Sequence, residues 1–170
     1  MRFQTLALIA LALTALTASA QNPLSTDTKN LYTRFKTNIM KAADKMPEEN
    51  YSFKPSDDVR SFGQLVGHVA DAGAMFCSAV KGERKAMGIE KGKTTKADLV
   101  AGLKESFAYC DAVYDGMTDA AAVEKIKFFG NEMTKAAVLN FNMVHMYEHY
   151  GNMATYMRIK KIVPPSSEGR

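Results

Sequence analysis

Three histidines carry the most pointed chemistry in this sequence, and the chain has no others: His68, His145 and His149. His145 and His149 are four residues apart inside a long helical pattern, so their rings stack on one helix face. His68 lies far upstream on a second helical pattern, from which it can close a site on a neighbouring helix. Three imidazoles with no obvious fourth protein ligand leave positions for water or substrate on a divalent ion. Such an ion brings the pKa of its water to about 7 or polarises a substrate oxygen. Asp71, one turn after His68, is the candidate base, or the acceptor for the second ring N–H of a ligand histidine. Its plainer reading is a solvated edge residue. A histidine pair at this spacing is weak evidence alone, and a hydrogen-bonded core cluster is the plainer alternative.

The same helix face carries Asn142 and Asn152, one on each side of the two histidines, in an otherwise apolar stripe. Buried together, these four polar side chains must satisfy one another, a water or an ion. The two asparagines are therefore expected to orient water or substrate. Glu148 lies at the edge of reach and is expected to pair with a surface lysine. Cys77 follows His68 by nine residues, which puts it on the opposite side of that helix and rules it out as a fourth ligand.

Four helical patterns must position these residues. The first runs from about Thr28 to Lys45 after the capping-rich Ser25-Thr26-Asp27, with Leu31, Phe35, Ile39, Ala42 and Met46 at three-to-four spacing. The second opens on a capping box, Ser61 with Gln64, and runs through His68 to Lys81 and Gly82. The third opens on Thr95-Lys96-Ala97-Asp98 and shows one face of Leu99, Leu103, Phe107, Cys110, Tyr114 and Met117. The fourth is the longest, about Glu132 to Lys161, and Pro164-Pro165 ends it. The segment from Thr118 to Asn131 reads both ways: Ala120-Ala121-Ala122 suits a helical turn, Lys125 to Phe129 a short extended piece. No strand set is convincing. The glycine- and charge-rich stretch Gly82 to Thr94 is long enough for a crossover. The fold expected is therefore all-α, a four-helix bundle.

Both cysteines lie towards the C-terminal ends of their helices. If helices two and three run parallel, these ends meet. The long crossover favours that arrangement and a Cys77–Cys110 disulfide; the alternative is two buried thiols. Met143, Met146, Met153 and Met157 form a separate stripe, read as packing rather than as a copper site.

Residues 1–20 have the features of a cleaved signal peptide: Arg2, an apolar run from Leu6 to Leu16, and Ala18-Ser19-Ala20. The run is too short to span a bilayer, and no later stretch is a transmembrane candidate. Export to the periplasm or beyond is expected, with residues 21–170 as a single domain. Loss of Arg2 lowers the formal charge from +4 to +3, carried on scattered lysines. That mildly basic surface argues against a nucleic-acid partner. No phosphate loop, nucleophile elbow or Cys-x-x-Cys motif is present.

The run Arg60-Ser61-Phe62-Gly63-Gln64-Leu65-Val66-Gly67-His68 resembles the second helix of DinB-like proteins, a superfamily of metal-binding helical bundles. The run from His145 to Pro165 resembles the last helix and tail of that family: His-x3-His, then Gly151, Arg158 and Pro164-Pro165. The order and separation of the two stretches fit across the mature chain. The resemblance implies an up-down-down-up bundle with a long crossover between helices two and three. It implies a divalent transition metal, zinc or nickel, on His68, His145 and His149, and homodimers as a frequent state. It also implies either thiol-dependent transferase or isomerase chemistry, or hydrolase chemistry. Export takes the chain away from the reducing cytosol and its low-molecular-weight thiols, which leaves a metal-dependent hydrolase acting on an unidentified small molecule. The alternative is a non-catalytic metal- or ligand-binding protein of the cell envelope.

Overall fold

The computed structural model describes residues 22–169, so the leader segment read at residues 1–20 lies outside the described residues. Four long helices make the framework: α1 (Pro23–Lys45), α2 (Phe62–Lys81), α4 (Lys96–Asp115) and α6 (Lys135–Ile159). Two single-turn helices, α3 (Ile89–Gly92) and α5 (Asp119–Ala122), sit in the connections. One hairpin, β1 (Lys125–Phe128) with β2 (Asn131–Thr134), precedes α6.

Local chemistry explains most boundaries. Ser61 accepts the Gln64 N–H while the Gln64 side chain accepts the Ser61 N–H, the full capping box, and Gly82 ends the helix it opens. Thr95, Thr118 and Thr134 each accept the N–H three residues on, which starts α4, α5 and α6.

Two boundaries differ from the sequence reading. α1 begins at Pro23, five residues before Thr28, because its free N–H groups are capped from a distance. The Asp119 carboxylate accepts from Leu24 N (3.2 Å) and Ser25 N (2.7 Å), and Asn22 Oδ1 accepts from Asp119 N (2.9 Å). The last helix begins at Lys135, not Glu132. Glu132 to Thr134 are strand residues, paired across a turn in which both Phe129 (φ 47°) and Gly130 (φ 79°) are left-handed. The ambiguous segment is thus both things, a helical turn at Asp119–Ala122 and then an extended piece.

Contacts along the helices fix their directions. Gly63 meets Leu99, Ser106 Oγ donates to Ala70 O (2.6 Å), and Cys77 is bonded to Cys110, so α2 and α4 run parallel. Asn142 lies beside Cys77 while the Tyr156 hydroxyl donates to Arg60 O (3.0 Å), so α6 runs against α2. α1 runs against α4, with Lys96 Nζ on Asp44 O and Lys29 paired with Asp115. It runs with α6, Phe35 against Tyr147 and Lys45 Nζ on Val163 O.

The interior is filled by Tyr32, Ile39, Phe62, Val66, Phe76 and Leu103 together with the stripe Met143, Met146, Met153 and Met157, all buried. The methionines are core packing, as their helical spacing suggests. The disulfide is buried on both sides, with 5.4 Å between its Cα atoms. No helix among the described residues is long and apolar enough to cross a membrane.

Candidate metal centre

His68 sits almost two turns into α2, and His145 and His149 occupy consecutive turns of the facing α6. Because the two helices are antiparallel neighbours, the three rings converge. His68 Nε2 lies 3.2 Å from His145 Nε2, and His149 Nε2 lies 3.1 Å from the same atom. One ligand atom from each residue falls within 4.8 Å of the others. Nitrogens about 2.05 Å from a tetrahedral zinc lie roughly 3.3 Å apart. The two short separations fit that edge length, so the donor set suits a single transition-metal ion.

Protonation states agree with the geometry. His68 Nδ1 faces Glu90 Oε2 at 3.0 Å, which fixes the proton on Nδ1 and leaves the Nε2 lone pair directed at the other two rings. Burial, and then the neighbouring imidazoles, push His145 down to about 4. Burial, then His68 and Arg60, do the same to His149, also to about 4. Both rings are therefore neutral at pH 7, the form that binds a metal. Their Nδ1 atoms are buried and meet no hydrogen-bond partner among the described residues, so only His68 is braced from behind.

Glu90 is the residue that sequence reasoning missed. It lies in the charge-rich crossover, where no periodic pattern singles it out. Its second oxygen accepts from Arg60 Nε at 2.7 Å. Burial alone would raise its pKa, but the hydrogen bonds from Arg60 and His68 outweigh that and hold the carboxyl below its ordinary range. The crossover is pressed against α2 so tightly that a Cβ at Gly67 would stand 2.6 Å from Glu90 Cα. On its other side a Cβ at Gly102 would stand 2.7 Å from the Ile89 side chain. In the sequence, Gly67 immediately before His68 was the one hint of that close approach.

Asp71 has a different position from the one expected. Its two oxygens accept from Ile89 N (2.8 Å) and Glu90 N (2.9 Å), so it pins the backbone of the crossover. The partner of His68 Nδ1 is Glu90, and Asp71 stands one step further out. Asn142 also turns away from the histidines: it is fully buried, donates to the Tyr114 hydroxyl at 3.2 Å and lies against Cys77. Asn152 does reach the site's surroundings. It lines an open cleft of about 650 Å³ with Arg60, Gln64, Glu148, His149 and Tyr156. Glu148 is exposed there and forms no lysine pair among the described residues; its charge acts on His145, opposing the fall in that pKa. Of the three histidines, His149 is the one that lines this cleft.

Known proteins share this architecture. The chain is 27% identical over 119 residues to the uncharacterised protein YjoA of Bacillus subtilis (strain 168), covering 68% of this chain and 77% of that one. A DinB-like protein from Bacillus cereus ATCC 10987 superposes with a TM-score of 0.69 at 20% identity, over 79% of this chain and 91% of that one. The mycothiol-dependent maleylpyruvate isomerase shares the fold at a TM-score of 0.63 and 11% identity, over 76% of this chain and 60% of that larger protein. A family model for the DinB superfamily matches residues 31–153, a span that holds all three histidines, Glu90 and both cysteines. The chain belongs to the DinB superfamily.

Proposed function

We propose that this is an exported metal-binding protein in which His68, His145 and His149 hold one divalent transition-metal ion, zinc or nickel, beside a cleft where a small molecule is hydrolysed. The observation that carries the reading is the convergence of three Nε2 atoms, two of the separations being 3.1 and 3.2 Å, next to an open cleft. Three facing lone pairs repel one another unless a proton or a cation lies between them. When bound, the ion supplies Lewis acidity towards water or a substrate oxygen. The chain's own residues do the rest. Glu90 holds the His68 tautomer, and burial keeps His145 and His149 unprotonated. Glu148 and Asn152 face the cleft, where they can take a proton from, and orient, a polar ligand. Asp71 contributes by fixing the backbone that presents Glu90.

Export is supported by the leader pattern at residues 1–20 and by the Cys77–Cys110 disulfide, which persists in oxidising compartments. An exported protein does not meet the cytosolic thiol pool, so hydrolysis is preferred over thiol transfer. A second reading, a non-catalytic metal-binding protein of the envelope, is favoured by one observation. The two carboxylates nearest His68, those of Asp71 and Glu90, already have all their oxygens engaged within the protein. Metal analysis by mass spectrometry of tag-free protein, beside His145→Ala/His149→Ala, tests the site. About one ion per chain, lost in the double variant, is expected; no metal in either sinks the proposal. Turnover of activated esters by the loaded protein separates the hydrolase from the binding protein.

A further inference from the structure

The cleft at His149 is not isolated. A second cleft of about 690 Å³ adjoins it across Lys54, Gln64 and Glu90, which line both. Charge is distributed unequally between the two. Around His149 the acidic groups Asp57, Asp58, Glu90 and Glu148 outnumber Lys54 and Arg60. In the adjoining cleft the balance reverses. Lys54, Lys91 and Lys93 line it, and its only acidic group among the described residues is Glu90, which is already bonded to Arg60 and His68. Lys54 is paired with Asp57, whereas Lys91 and Lys93 form no ion pair among the described residues. Both project from the crossover that carries Glu90, one on α3 and one immediately after it. Arg60 stands near the junction with its Nε spent on Glu90 and the rest of its guanidinium without a partner among the described residues.

From this arrangement we infer that the two clefts form one substrate groove, selective for an elongated small molecule with a neutral reacting group at one end and an anionic group, carboxylate or phosphate, at the other. The reacting group lies at His149, where the acidic walls disfavour a second negative charge away from the ion itself. The anionic end lies over Lys91 and Lys93, with Arg60 able to engage it on the way. Exposed ammonium groups attract such an end with a modest, salt-screened energy each, and two acting together give a selectivity that is measurable rather than absolute. The inference rests on the metal reading proposed above.

A matched pair of probes tests it on the full mature protein loaded with zinc: an alkyl hydroxamate, and the hydroxamate of the same chain length ending in a carboxylate. Zinc content is measured first, and binding of each probe by titration calorimetry over several chain lengths. The carboxylate-ended probe is expected to bind roughly five- to tenfold tighter at its best length, with the advantage shrinking as salt rises. Lys91→Gln/Lys93→Gln should abolish that advantage while leaving zinc content and the affinity of the plain hydroxamate unchanged. Equal affinities for the two probes in zinc-loaded protein overturn this inference alone. An advantage that survives in the double variant also overturns it. Failure to take up either zinc or nickel overturns the metal reading, and this inference with it.

Discussion

At the scale of single residues, the site depends on keeping two imidazoles neutral and one correctly oriented. His145 and His149 titrate near 4 in the folded protein against 6.5 for the free side chain. Between those values the unfolded chain binds more protons than the folded one, so metal-free protein loses stability as pH falls from about 6.5 towards about 4. Above 6.5 these two residues contribute no slope. Glu90 and the other carboxylates with lowered values weaken the fold only below the ordinary carboxylate range, which leaves the interval from 6.5 to 4.5 to the histidines. Thermal melts of apo protein across that interval should fall steeply, and those of His145→Gln/His149→Gln should be much flatter. Equal slopes would mean that the two rings are not held neutral by burial. Glu90→Ala removes the brace on His68 Nδ1 and should weaken zinc binding roughly 10- to 100-fold in a chelator competition. The histidine cluster was legible because the helical period puts His145 and His149 on one face. Glu90 was not, because its place depends on how a non-periodic crossover packs.

At the scale of elements, the crossover is the part that turns a bundle into a site. Asp71 holds two of its N–H groups, and Gly67 and Gly102 let it approach α2 and α4 closely enough to deliver Glu90. Gly67→Ala therefore displaces α3 from His68, since the added Cβ would meet backbone only 2.6 Å away. We expect it to lower zinc affinity while circular dichroism still reports a helical fold. Gly151→Ala is the opposite case. Its Cβ meets nothing within 4 Å in a helix interior, so it should raise stability by about 0.5–1 kcal/mol and leave zinc affinity alone. If both substitutions act alike on the metal, the clamp has no role. The start of α2 was readable from Ser61 and Gln64 because its cap is local. The start of α1 was not, because its cap is Asp119, more than ninety residues away in sequence. The hairpin escaped for a related reason: two short strands with no long alternation draw their support from α6 and the Phe76 ring rather than from their own pattern.

At the scale of the whole molecule, the disulfide links the metal reading to the compartment. Cys77 and Cys110 are 33 residues apart and join two parallel helices, an arrangement made possible by the crossover that also carries Glu90. Closing a loop of that length restricts the unfolded chain by about 3–4 kcal/mol at 25 °C on the chain-entropy account. That is a large share of the roughly 5–15 kcal/mol that stabilises a typical domain. Cys77→Ala/Cys110→Ala should therefore unfold at markedly lower denaturant than the oxidised protein. Cys77 lies nine residues, roughly 13 Å, further along α2 than His68, so zinc stoichiometry under native conditions should remain about one per chain. A protein that spent its working life in a reducing cytosol would gain nothing from this bond. Intact-mass analysis of the full chain, residues 1–20 included, produced in an export-competent bacterium should therefore find a product beginning at Gln21, with both thiols blocked to alkylation before reduction. A product that keeps residues 1–20 and two free thiols would remove the argument for export, and with it the reason for preferring hydrolysis to thiol chemistry. The metal reading would survive that outcome, since it rests on the convergence of His68, His145 and His149 rather than on export.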